Sequence, residues 1–335
     1  MRADRVIHTV DSHTEGNPTR VVLSGFGPIP GVTLLEKRDY VRDHLDNLRR
    51  LLLHEPRGGA LNCAVLLLDA CDPAADVSAI IMEQAEYVPM CGHCIIGLAT
   101  TLVEMGLVAR TEPETKIIIE TPAGLVTARV RVEDDGRVGP VSLRNVPSFL
   151  AAENVELRLS DGRIVVADIS YGGDFYICIE AKTVGIDISP AAAPAIVALA
   201  RMVREAARTV TVAHPTRPDL DRAYMVMFFE ERSRQPAHYR NVVIAPPGAI
   251  DRSPCGTGTS ALLARLTAQG TLAPGELLVN EGIMGTNFRA RVVERLNWGK
   301  VQAIVPEITG HAYITGVHDW TLDPADPFPS GFLLA

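Results

Sequence analysis

Two cysteines in this sequence each stand directly before a glycine at the mouth of an apolar, helix-like run: "CGHCIIGLATTLVEMGL" from Cys91 and "CGTGTSALLARLTAQGTL" from Cys255. Amides in the first turn of a helix lack an intrahelical acceptor, and the helix dipole adds partial positive charge there. A thiol in that field ionises more readily; helix N-termini bring cysteine from about 8.5 to roughly 3.5–7.5. Gly92 and Gly256 let a ligand approach the backbone closely. Each segment therefore offers a reactive sulfur beside an anion-binding set of N–H groups. Two such ends acting on one carboxylate would put a thiol on either side of its α-carbon. Inverting a stereocentre needs that: a base on one face and an acid on the other, with fixed backbone donors carrying the charge that builds on the carboxylate.

The two segments align without a gap at an offset of 164 residues, which places Cys91 on Cys255, Gly92 on Gly256, Leu98 on Leu262, Leu102 on Leu266 and Gly106 on Gly270. Further on, "ETPAGLVTARV" matches "EGIMGTNFRARV" loosely. A duplicated, pseudo-twofold chain is the expectation, with one half over 1–150, completed by 318–335, and the other over 151–317.

The elements that must position the thiols follow from pattern. "DRVIHTVDSHTEGNPTRVVLSG" reads as two short strands around a polar loop from Asp11 to Asn17, and the apolar spacing of "RDYVRDHLDNLRRLLLHE" predicts a helix closed by "EPRGG". "RIVVADISYGGDFYICIEA" reads as strand, glycine turn, strand. Ser189-Pro190 predicts an N-cap with proline at the first helical position. The segment Arg144 to Leu157 is the expected linker zone.

The chain has 335 residues with 47% hydrophobic content and a net charge of −8. It is long enough for one large or two medium domains, and the charge argues against a nucleic-acid partner. The N-terminal residues show no secretory pattern and no apolar run reaches the length of a membrane span. Six dispersed cysteines read as reduced thiols in a cytoplasmic protein; Cys63 and Cys178 read as small core residues. No Walker A, GxGxxG or HExxH pattern is present.

"MCGHCIIG" and "DRSPCGTGTSA", with "DSHTEGNPTRVV", "HEPRGG", "YGGDFY" and "GTNFRARV", closely resemble the motifs of the proline racemase family, which includes 4-hydroxyproline 2-epimerases and 3-hydroxyproline dehydratases. The resemblance implies an α/β (α+β) fold of the diaminopimelate-epimerase type: two pseudo-symmetric halves, each a curved sheet around a central helix, with the site between them. It implies Cys91 and Cys255 as the acid/base thiols and the amides of Gly92, His93, Gly256 and Thr257 as carboxylate donors. Asp251 would accept a hydrogen bond from the ring nitrogen of a proline-like substrate. Neither pyridoxal phosphate nor a metal is implied.

Asp174, after the two glycines, reads either as a turn residue or as a second contact to the amine. His13, Glu15 and Asn17 read as pocket rim or as a self-satisfied polar loop, and Arg57 as a structural bridge.

Three positions depart from the family pattern. Cys94 follows Cys-Gly-His where glycine or asparagine is common, Glu15 stands where hydroxyproline epimerases often carry cysteine, and Ala245 stands where proline racemases carry phenylalanine. The space left by Ala245 favours a hydroxyproline. The expectation is a cofactor-independent racemase or epimerase acting at Cα of 4-hydroxyproline or proline. Dehydration of trans-3-hydroxy-L-proline is the alternative within enzymes, and a redox or metal-binding protein built on Cys91 and Cys94 is the alternative of another class. The second of these predicts loss of function on replacing Cys94, whereas an epimerase should lose little. The sequence leaves a homodimer open.

Overall fold

The computed structural model describes residues 4–234, 237–273 and 275–333. The chain divides into two compact units, the first made of Met1–Leu143 and His311–Ala335 and the second of Arg144–Gly310. The division falls earlier than the expected 150/151, and the C-terminal return begins at His311 rather than 318. Residues 1–3, 334 and 335 of the first span lie outside the described residues.

Unit 1 holds β1 (Arg5–Thr14), β2 (Asn17–Ser24), α1 (Leu34–His44), α2 (Asp46–Leu53), β3 (Cys63–Asp69), β4 (Val77–Met82), α3 (Gly92–Glu104), β5 (Glu114–Thr121), β6 (Gly124–Val132) and most of β7 (Val138–Arg144). Unit 2 holds β8 (Phe149–Arg158), β9 (Ile164–Tyr171), β10 (Phe175–Glu180), α4 (Ala193–Ala206), β11 (Met225–Arg234), β12 (Ala237–Ala245), β13 (Ala249–Ile250), α5 (Gly256–Ala268), β14 (Leu278–Glu281), β15 (Asn287–Trp298) and β16 (Val301–Gly310). The chain then returns to unit 1 as β17 (Ala312–Leu322).

The pairings repeat. In unit 1, β17 and β1, then β1 and β2, are antiparallel; β2 and β3 are parallel, β3 and β4 antiparallel, β4 and β5 parallel, β5 and β6 antiparallel. Unit 2 runs through the same senses along β8, β9, β10, β11, β12, β14 and β15. Parallel neighbours cannot be joined by a hairpin and need a crossover; α1 with α2, α3, α4 and α5 supply those crossovers. In this ladder β17 does for unit 1 what β8 does for unit 2, so the last strand of the chain belongs with the first.

Helix α3 touches β17, β1, β2, β3 and β6, and α5 touches β8, β9, β10, β15 and β16. Strands from both ends of each ladder thus meet one helix, and each sheet curls around it. This is the diaminopimelate-epimerase-like arrangement. Every residue of α3 from Gly92 to Val103 is buried, as an apolar helix without a polar face must be. Both helices close with the same cap. Leu107 N–H reaches Leu102 O at 2.8 Å and Gly106 N–H reaches Val103 O; Thr271 N–H reaches Leu266 O at 2.9 Å and Gly270 N–H reaches Thr267 O. Gly106 and Gly270 take φ of 66° and 68°, the left-handed turn that glycine enters without a Cβ clash.

Some local expectations change. The polar loop from Asp11 to Asn17 shrinks to Glu15 and Gly16, because strand pairing runs on to Thr14 and resumes at Asn17. The single helix expected after Arg38 is two, broken at Leu45, whose backbone leaves helical geometry. The linker zone is largely strand β8. Ser189 makes no side-chain cap; Pro190–Ala192 form a 3-10 turn before α4.

An aromatic cluster anchors the β9–β10 hairpin. Tyr171 and Trp298 stack edge-on against His214 at centroid distances of 4.6 and 4.7 Å, with Phe149 and Phe175 beside them. Burial, with the Arg217 charge, pushes His214 down from 6.5 to about 4. Below about pH 6.5 the unfolded chain therefore binds a proton that the folded chain refuses. Stability from this group is complete above pH 6.5 and declines as pH falls towards 4. Thermal melts between pH 7 and 4 should show this slope, and His214→Phe should flatten it.

Candidate active site

In unit 1, Cys91 is the N-cap of α3 in extended conformation, and its sulfur makes no capping bond. Instead Sγ lies 3.0 Å from Nδ1 of His93, two residues on. The other ring nitrogen of His93, Nε2, lies 2.9 Å from the Asn17 side-chain amide and 3.4 Å from Cys94 Sγ. Thr14 Oγ1 donates to the His93 carbonyl at 2.8 Å. Thr14 and Asn17 flank the tight turn between β1 and β2, so the hairpin tip clamps the first turn of the helix. The amides of Gly92 and His93 precede the first intrahelical bond, from Ile95 N–H to Cys91 O.

The electrostatics follow from burial. A hydrogen bond with Cys94, and against the cost of burial the charge of His93, hold the Cys91 thiol well below its usual range. Burial works against a charged His93, but the charges and hydrogen bonds of Cys91 and Cys63 together outweigh it and raise the imidazole well above its usual range. Both directions put the proton of this contact on Nδ1 of His93 rather than on the Cys91 sulfur. Burial keeps Cys94 a thiol.

In unit 2, Cys255 is the N-cap of α5 with φ 61° and ψ 111°. Its Sγ accepts the Gly258 N–H at 3.3 Å and lies 3.4 Å from the Tyr176 hydroxyl and 3.7 Å from Thr257 Oγ1. Burial, then the Cys255 charge, push Tyr176 well above 10, so it stays a phenol that can donate. The two sulfurs differ in what faces them: an imidazole at Cys91, and a backbone amide with two hydroxyls at Cys255.

A positive φ costs a residue with a Cβ about 1–3 kcal/mol and persists only where the surroundings fix it. Here Ser253 Oγ accepts the Cys255 N–H at 3.1 Å, and Pro254 O accepts from Asn241, Asn280 and Thr259. Both polar groups of the peptide that precedes the strained residue are thus held. Cys255→Gly is expected to unfold at higher denaturant, by about 1 kcal/mol, while losing all activity that depends on the sulfur. Equilibrium urea unfolding beside an activity assay checks both halves of this.

Asp251 accepts from Ser253 N–H and Oγ–H, each at 2.8 Å, through one oxygen. The buried Asp174 carboxylate accepts the Phe175 N–H at 2.7 Å and the Tyr224 hydroxyl at 2.6 Å. Arg57 bridges to Asp326 and to the Phe328 carbonyl, and Glu15 accepts the His311 N–H.

Sequence reasoning missed three residues. Tyr176 lies 79 positions from the sulfur it touches. Asn17 carries a specific contact to His93 that its reading as rim or loop did not include. Cys63, read as core filler, opens β3 with its sulfur beside His93 and Cys94. None carries a local signal, because each reaches its partner through strand pairing.

Over residues 9–333 the sequence matches the family described as Proline racemase. It is 42% identical to the proline racemase of Acetoanaerobium sticklandii, over 99% of both chains. It is also 42% identical to the 4-hydroxyproline 2-epimerase of Streptosporangium roseum, over the whole of both. A crystal structure of a hydroxyproline epimerase from Agrobacterium vitis, with bound trans-4-OH-L-proline, superposes with a TM-score of 0.93 at 33% identity. It covers 100% of this chain and 97% of that one.

Proposed function

Since the chain belongs to the proline racemase family, we propose that it is a cofactor-independent amino-acid racemase or epimerase that inverts Cα of 4-hydroxyproline or proline. The observation that carries this reading is the pair of buried thiols at matching N-caps of two buried helices in a repeated fold. The thiolate of one cysteine takes the α-proton and the thiol of the other returns a proton to the opposite face. His93 favours the ionised form of Cys91, which fits that sulfur to the base's part for one of the two stereoisomers. First-turn amides of Gly92, His93, Gly256 and Thr257 bind the carboxylate and hold the charge that develops on it. Asp251 and Asp174 receive the hydrogens of the ring nitrogen. Ala245 leaves room for a ring hydroxyl, which favours the 4-hydroxy substrate.

Incubation in deuterated buffer with L-proline, trans-4-hydroxy-L-proline and trans-3-hydroxy-L-proline tests the reading. Loss of the α-proton signal with changing optical rotation is expected, fastest for the 4-hydroxy compound. A new imine or ketone from the 3-hydroxy compound would make the chain a dehydratase, and no exchange in any of the three would overturn the reading. Asp251→Asn should raise KM more than it lowers kcat, because its carboxylate binds an ammonium present equally in ground and transition states; steady-state kinetics separate the two.

A further inference from the structure

Cys63, His93 and Cys94 put one donor atom each within 4.8 Å of one another, inside unit 1. All three residues are buried, at 8, 2 and 0% exposure. They come from two elements. Cys63 opens β3, where it pairs with Thr19 of β2, and His93 with Cys94 forms the first turn of α3.

Two thiols and an imidazole are the donor set of zinc and other thiophilic cations. Tetrahedral zinc, with bonds of about 2.3 Å to sulfur and about 2.0–2.1 Å to nitrogen, separates its ligands by roughly 3.5–3.8 Å. Cys94 Sγ and His93 Nε2 already stand 3.4 Å apart. The next soft donor is Cys91 Sγ, 3.9 Å from the same Nε2. The reading of Cys63 as core filler leaves this convergence unexplained.

We propose that Cys63, His93 and Cys94 form a buried binding site for a thiophilic divalent cation, zinc above all. Binding forms two metal–sulfur bonds and one metal–nitrogen bond. The two thiol protons pass to the buffer, a His93 imidazolium releases a third from Nε2, and the Asn17 amide gives up its place at that nitrogen. The site is independent of the proposed function.

The test uses the reduced, metal-stripped full chain titrated with cobalt(II) as a coloured stand-in for zinc. One equivalent per chain is expected to give the thiolate-to-cobalt charge-transfer band and the d–d bands of tetrahedral coordination, and zinc should bleach both. Cys63→Ala and Cys94→Ala should each weaken binding by more than the roughly 10–100-fold that outer-shell changes cost.

No band, or bands that survive both substitutions, would overturn the site. Should the variants fail to fold, X-ray absorption at the zinc edge of the unaltered protein decides. Sulfur scatterers at about 2.3 Å support the site, and a shell of only oxygen and nitrogen overturns it. Cobalt bands in a chain that exchanges no α-proton would support the site and count against the racemase reading alone.

Discussion

Cys91→Ser and Cys255→Ser are each expected to slow inversion of the substrate by roughly 10²–10⁴-fold, the share a positioned acid or base contributes. Serine keeps the shape of the N-cap and is far too weak an acid to share the proton. Circular dichroism and melting temperature should barely move while kcat falls. The double variant should be little worse than either single one, because the two sulfurs act as a unit and their losses do not add.

The isotope result is sharper. With Cys91 replaced, Cys255 can still take and return a proton on its own face. Deuterium should then enter one stereoisomer without inversion, while the other stays untouched. Cys255→Ser should reverse the preference. Proton NMR of each pure stereoisomer in deuterated buffer reads this out and assigns each cysteine its face. Equal exchange of both stereoisomers in either single variant would defeat the two-thiol mechanism.

Gly172→Ala is the second large effect, and it arises from packing alone. A Cβ at Gly172 would meet the Ala261 nitrogen at 2.6 Å and the Thr257 carbonyl oxygen closer still. Both are backbone atoms of α5, so no side chain can turn aside. Gly172 is also tied by its own carbonyl to Asn145, whose amide reaches Ser260 of the same helix, each at 2.8 Å. Hairpin and helix must therefore separate. The expected cost is about 3 kcal/mol, the upper end of the usual range for overpacking.

The displaced first turn carries Cys255 and its partner Thr257. A shift of about 1 Å in a reacting group costs on the order of 100-fold in rate. Urea unfolding and kcat should both register the change, and a variant of unaltered stability and rate would show that the contact is not tight. In unit 1 the corresponding approach is milder. A Cβ at Gly97 would meet side-chain atoms of Ser12 and Thr19 at 3.0–3.3 Å, and these can give. Gly97→Ala should cost less than Gly172→Ala in the same unfolding experiment.

What the sequence by itself determined is what depends on short range. A cysteine ahead of a glycine and an apolar run is an N-cap beside orphan amides, and that follows from hydrogen bonding over four residues. The glycine that ends each helix is equally local, so the repeat at 164 residues could be read from Cys91–Gly106 and Cys255–Gly270. The motifs around those cysteines sufficed to name the family, and with it the fold.

Only the tertiary structure decided what surrounds each sulfur. The Asn17 contact to His93 and the Tyr176 contact to Cys255 span 76 and 79 residues, and Cys63 joins its cluster through parallel pairing with Thr19. Such neighbours depend on strand register, where a shift of one residue would turn every side chain to the other face. The positive φ of Cys255 is likewise fixed by Asn241 and Asn280, from strands β12 and β14. The chemistry could thus be read from local pattern. The setting of each sulfur, an imidazole held by Asn17 at Cys91 and the Tyr176 hydroxyl at Cys255, could not, because distant strand pairing brings those partners in.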